Sequence, residues 1–171
     1  MLRKGLILLL CCSSFAAMAN QLDVKRLVPN AELVGETRMQ YLFWDVYDIS
    51  LTAPEGEWRK DAPFALTLSY LMDLKGDDIA ERSVEEMRGL GYGDEMKLAA
   101  WYSEMRRIFP NVKNGSLLTG LYNPGKPTKF YHNGKLAGEV RDPEFGKAFF
   151  GIWLDEKTSE PKLRQRLLGQ K

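Results

Sequence analysis

The chain has 171 residues, with 24 Lys or Arg, 23 Asp or Glu and a single His. Charge this evenly balanced, with no basic run longer than pairs such as Arg106-Arg107, offers no basic face to nucleic acid or to an anionic membrane surface. Its two cysteines, Cys11 and Cys12, sit together near the start, so the rest of the chain has no disulfide framework, no thiol nucleophile and no cysteine metal site.

Arg3 and Lys4 open the chain, Leu6 to Cys12 form an apolar stretch, and Ala17-Met18-Ala19 is a small-x-small cleavage site. This is the layout of a secretory signal peptide cut before Asn20. Its apolar stretch is shorter than the roughly 20 residues that span a bilayer. The expected organisation is a leader at 1–19 and one domain at 20–171, exported to the periplasm or beyond, with no integral membrane segment in the mature chain. Lipid attachment at Cys11 or Cys12 is the alternative, but Leu10 stands where lipoprotein processing takes a small residue. Cleavage removes both cysteines together with Arg3 and Lys4, leaving one basic residue fewer than acidic ones.

Residues 31–53 read as extended, aromatic and β-branched from Tyr41 to Thr52, and closed by Pro54-Glu55-Gly56. From Phe64 to Met72 the pattern alternates, with Phe64, Leu66, Leu68 and Tyr70 on one face of a strand. Asp78 with Glu81 three residues on is a capping-box-like start; Ile79, Ser83, Met87 and Leu90 make the stripe of a helix that Gly89 and Gly91 stop. A second helix over Asp94 to Phe109 carries Leu98, Trp101, Tyr102, Met105 and Ile108 at core-facing spacing, and Pro110 ends it. Ser116 to Asn123 is a strand, and Thr128 to Val140 a hairpin about Asn133-Gly134. Asp142-Pro143-Glu144 and Ser159-Glu160-Pro161 open two final helices, and Gly169 closes the last. Strands, two helices, strands, two helices is an α+β order: a largely antiparallel sheet with helices gathered on one face.

Arg38 is the residue of most chemical interest. It leads into Met39-Gln40-Tyr41-Leu42-Phe43-Trp44, and a buried charge must be paired. Its partner is either a protein carboxylate, such as Glu36 or Asp45, or a ligand anion that fits the guanidinium fork; local spacing alone favours the ion pair. Asp45 and Asp48 read as solvent-facing acids or as a partner of Arg38 rather than as an acid–base pair. Tyr47, Tyr70 and Tyr122 read as core tyrosines with satisfied hydroxyls. His132, beside the Asn133-Gly134 turn, reads as a solvated neighbour, and with no second histidine a transition-metal site is not expected.

Gly35-Glu36-Thr37-Arg38 followed by Val46-Tyr47-Asp48-Ile49-Ser50-Leu51 resembles the arginine strand and the next strand of the chalcone isomerase fold. Leu74-Lys75-Gly76-Asp77-Asp78 resembles the turn into that fold's first helix. Asp142-Pro143-Glu144-Phe145-Gly146-Lys147-Ala148-Phe149-Phe150-Gly151-Ile152-Trp153-Leu154, then Thr158 to Arg164, is similar to its paired C-terminal helices and close to exported bacterial chalcone-isomerase-like proteins. The likeness spans about residues 25–169.

The resemblance implies an open-faced β-sandwich with a helical layer and a ligand in the cleft between sheet and helices. It makes Arg38 the ligand-facing arginine, with Tyr47 and Ile79 as further ligand-binding positions. Tyr47 stands where the isomerases carry threonine, Ile79 where they carry tyrosine, and Glu86 near an asparagine. With those groups replaced, the expectation is a non-catalytic module for a small apolar ligand with an acidic, fatty-acid-like head group, without catalytic residues, metal or cofactor. The rival readings are an isomerase, an intramolecular lyase of the chalcone–flavanone type, and a structural family member with no ligand.

Overall fold

The computed structural model describes residues 23–170; the expected leader lies outside the described residues. Six strands form one antiparallel sheet in chain order: β1 (Ala31–Tyr41), β2 (Trp44–Pro54), β3 (Phe64–Tyr70), β4 (Leu117–Tyr122), β5 (Thr128–His132) and β6 (Lys135–Val140). Helices α1 (Gly76–Gly89) and α2 (Glu95–Ile108) fall between β3 and β4, and α3 (Phe145–Leu154) and α4 (Pro161–Leu167) follow β6. This is the expected α+β architecture, an open-faced sheet with its helices on one side.

Side-chain alternation sets which side. On β3 the buried Phe64, Leu66, Leu68 and Tyr70 face the helices, while Thr67 and Ser69 face away. Helix α3 is the centre of the helical layer: every residue except Lys147 is buried. Its Phe149 ring lies 5.0 Å edge-on from Phe130 of β5 and 5.5 Å from Trp153 one turn on. Such contacts add to area burial, which gives each large apolar side chain roughly 1.5–3 kcal/mol.

Two glycines explain how tightly the layers meet. At Gly35 an added Cβ would collide with the carbonyl oxygens of Arg166 and Leu167, so the C-terminal end of α4 can sit directly on β1. At Gly76 an added Cβ would collide with the Phe109 carbonyl, which brings the start of α1 against the end of α2.

The structure moves the start of α1 from Asp78 back to Gly76. The Gly76 N–H donates to the Asn111 side-chain oxygen at 3.0 Å, so the cap comes from a residue far along the chain and the local capping-box reading does not apply. Asp77 and Asp78 instead occupy the first turn, where the positive end of the helix dipole favours acids. Asp94 caps α2, accepting from the Lys97 N–H at 3.0 Å. Asp142 accepts from the Glu144 N–H and, through its other oxygen, from the Trp101 indole, both at 2.9 Å, tying the entry of α3 to α2.

The extended stretch 31–53 is two strands. They turn at Leu42-Phe43, with Leu42 at φ 54, and a bulge between Met39 and Gln40 shifts the register from Met39↔Tyr47 to Gln40↔Asp45. No Gly, Pro, Asn or Asp marks this turn, whereas Asn133 and Gly134 (φ 46 and 81) make the β5–β6 turn as expected.

Candidate functional site

Between the helix-facing side of the sheet and helices α1 and α3 lies a cavity of about 370 Å³. Leu66, Leu68 and Leu118 form its sheet wall, and Phe149, Phe150 and Trp153 its α3 wall. Polar groups gather at one rim: Asp78, Arg82 and Glu86 from α1, and Ser159 and Glu160 from the α3–α4 connection. Tyr41 and Trp44, the two residues that flank the β1–β2 turn, also border the cavity.

Tyr47 and Tyr70 are cross-strand partners on β2 and β3 with ring centroids 5.7 Å apart, and both line the cavity. The Tyr47 hydroxyl accepts the Trp153 indole N–H at 3.0 Å, which leaves its own proton free to donate. Burial pushes its pKa up to about 12, with the Trp153 bond and Arg82 opposing the rise and Glu160 and Glu86 adding to it, so the phenol stays neutral. Burial, then the neighbouring Tyr47, pushes the Tyr70 phenol up as well. The Tyr70 hydroxyl makes no hydrogen bond to another side chain among the described residues. Two neutral O–H donors thus face an apolar space.

At the rim, Arg82 pairs with Glu85 at 3.3 Å and with Glu86, and the other Glu86 oxygen accepts from the Ser159 hydroxyl at 2.8 Å. Ser83 donates to the Ile79 carbonyl at 2.7 Å, so its proton is used within the helix. The arrangement can desolvate an apolar body and offer phenolic donors and one guanidinium to an acceptor group at the mouth. The titratable side chains of its interior are neutral phenols, and its carboxylates lie at the rim. No group of three metal-binding side chains is found among the described residues.

Of the three residues singled out in the sequence, the structure brings Tyr47 and Ile79 together in the cavity wall, with Glu86 beside them. Arg38 is elsewhere, and this corrects the ligand-facing role that the resemblance implied. On β1, Met39 points into the cavity, so its neighbour Arg38 points to the opposite, open face of the sheet. There it meets its cross-strand partner Asp48 with two bonds, Nε to Oδ1 at 2.6 Å and Nη2 to Oδ2 at 3.0 Å. Its Nη1 reaches Asp45 Oδ2 at 2.8 Å, and Gln40 holds the other Asp45 oxygen at 2.6 Å. The Gln40 amide, then Arg38, hold the Asp45 carboxyl below its usual range. Three residues apart, Asp45 and Asp48 would face opposite sides of a regular strand. The bulge turns both toward Arg38, which gives the protein ion pair that local spacing favoured.

Sequence reasoning missed Arg82, Ser159 and Glu160, and read Tyr70 only as core. A signal was present in α1, where Ile79, Arg82, Ser83 and Glu86 follow the i, i+3, i+4, i+7 spacing of a single stripe. Three polar residues on the face of a helix turned toward the core mark a cavity rim.

A family model described as Chalcone isomerase-like matches residues 29–169. An uncharacterized protein of Haemophilus influenzae is 26% identical over 138 residues, covering 80% of this chain and 67% of that protein. A fatty-acid binding protein of Arabidopsis thaliana of known crystal structure superposes with a TM-score of 0.61 and 13% identity, over 82% of this chain and 87% of that one. The latter is a likeness of fold.

Proposed function

The chain belongs to the chalcone isomerase-like family, and we propose that it is an exported, non-catalytic member that holds one apolar ligand with an acidic head group between sheet and helices. The observation that carries this reading is the cavity of about 370 Å³, apolar in its depth and polar at one rim. Small-molecule sites fall in the range of roughly 300–1,000 Å³. Each methylene buried there contributes ~0.8 kcal/mol, so a tail of about ten carbons contributes roughly 8 kcal/mol before ordering costs are subtracted. The head group stays at the rim, where the free Tyr47 proton and Arg82 meet it. Arg82 is 64% exposed on its side chain, so exchanging Glu85 or Glu86 for a ligand carboxylate requires little rearrangement.

The Arabidopsis fatty-acid binding protein of the same fold supports a long-chain acid as the ligand class, and the residue 1–19 pattern supports export. An isomerase would place a cation against the developing oxyanion inside the cavity. The arginine that the resemblance assigns to that task is bound to Asp45 and Asp48 on the other face, so the geometry favours binding over cyclisation.

Native mass spectrometry of protein purified from its own host, with no ligand added, tests both halves. The expected species begins at Asn20 and carries one acid with an apolar tail. Empty protein in every preparation contradicts the ligand; a species retaining Cys11 or Cys12 with added acyl mass contradicts the processing.

A further inference from the structure

The β1–β2 turn exposes four consecutive large apolar or aromatic residues: Tyr41 61%, Leu42 77%, Phe43 99% and Trp44 67%. The other exposed large hydrophobics, Leu33, Met96 and Leu136, are scattered singly along the chain, as on most protein surfaces. Folding does not account for this tip. Leu42 and Phe43 forgo burial, and Leu42 takes a positive φ of 54 that a leucine adopts only with strain. A contiguous apolar patch held in this way marks an interaction site.

Two further observations identify the partner. The tip is convex, with Phe43 touching almost nothing, so it suits a medium that closes around it better than a flat protein face. Its flanking residues, Tyr41 and Trp44, combine an apolar ring with a polar O–H or N–H, the character that places these residues at membrane–water interfaces. Tyr41 and Trp44 also border the cavity, so the exposed apolar surface continues into the apolar interior. The two arginines nearby are already paired, Arg38 with Asp45 and Asp48 and Arg82 with Glu85 and Glu86, so neither is free to call for anionic lipid.

We infer that the Tyr41–Trp44 tip is a wedge that docks the protein on a lipid bilayer and sets the cavity mouth against it. Insertion is apolar and does not depend on anionic lipid. Passage of ligand between bilayer and cavity rests on the binding reading above; docking itself does not.

The test is flotation of the mature chain with phosphatidylcholine vesicles at physiological and at high salt, compared with the double variant Leu42→Asn/Phe43→Ser. Asparagine tolerates the positive φ, and neither position lines the cavity, so the variant should keep its melting temperature and its affinity for a dansyl-labelled undecanoic acid. Wild type should float at both salt concentrations, and the variant should partition about tenfold less or weaker still. Equal flotation of the two proteins overturns the inference, as does wild type left in the aqueous phase. A wild-type dimer in sedimentation that the double variant abolishes, without vesicle binding, overturns it in favour of a second copy. Flotation of wild type with no dansyl-acid binding by either protein upholds docking and refutes the ligand reading.

Discussion

The Trp153 indole donates to the Tyr47 hydroxyl across 3.0 Å, joining α3 to β2 at the wall of the cavity. The same bond uses an acceptor site of the phenol and leaves its own proton free to donate. Tyr47→Phe leaves the Trp153 N–H without a partner in a part-buried site, which should cost about 1–2 kcal/mol. For a domain of this size that is a fall of a few degrees in melting temperature. Calorimetric titration with an acidic apolar ligand should show weaker binding as well. Unchanged stability would mean that water replaces the bond at no cost.

The buried phenols make stability depend on alkaline pH. An unfolded tyrosine ionises near pH 10, whereas burial raises folded Tyr47 to about 12 and raises Tyr70 too. The folded state thus holds protons that the unfolded chain releases. The associated stability is intact below about pH 10 and is lost as pH rises toward and through the folded values. Denaturant midpoints measured from neutral to strongly alkaline pH should be flat and then fall, with tyrosinate absorbance rising as the fold is lost. In the Tyr47→Phe/Tyr70→Phe variant the alkaline slope should be shallower, whatever its starting stability.

The two arginines should separate cleanly. Arg82→Ala removes the guanidinium at the rim and should weaken an acid-headed ligand about three- to tenfold while barely affecting its uncharged alcohol analogue. Arg38→Ala acts on the far face of the sheet and should leave both affinities unchanged. Titrations of both ligands against the two variants decide the point, and loss of acid binding in Arg38→Ala would return that residue to the ligand.

Much of the fold was legible because its elements carry local signals. Period-two alternation in β3, helical stripes in α1 and α2, Asn133-Gly134 and the Pro161 helix start each come from short-range chemistry, whereas α3 begins at Phe145, after the turn that holds Pro143. The β1–β2 turn was not legible, since Tyr41-Leu42-Phe43-Trp44 reads as continuous strand; the apolar turn is stable in spite of its sequence. The start of α1 was misplaced because its cap, Asn111, is contributed by another element. Part of the cavity lining could be read. Resemblance carried Tyr47 and Ile79 to the cavity but could not register the Met39/Gln40 bulge, which decides how Asp45, Asp48 and Arg38 share the open face. Ser159 meets Glu86 only through the packing of α1 against the α3–α4 connection, a contact between distant parts of the chain, whereas the Arg82–Glu86 pair is local to α1.

If the cavity between sheet and helices holds the ligand, filling it should expel the ligand, and Ile79→Trp fills it. Ile79 is half-buried in the cavity wall, so an indole there can fill the space without displacing the fully buried core. Calorimetric titration of wild-type residues 20–171 with a saturated medium-chain fatty acid should give one site per chain. In Ile79→Trp, with its circular dichroism and melting temperature near wild type, that binding should fall by tenfold or more, an estimate on the order of the lost burial of two methylenes or so. Equal affinity in the two proteins would place the ligand outside this cavity and contradict the account.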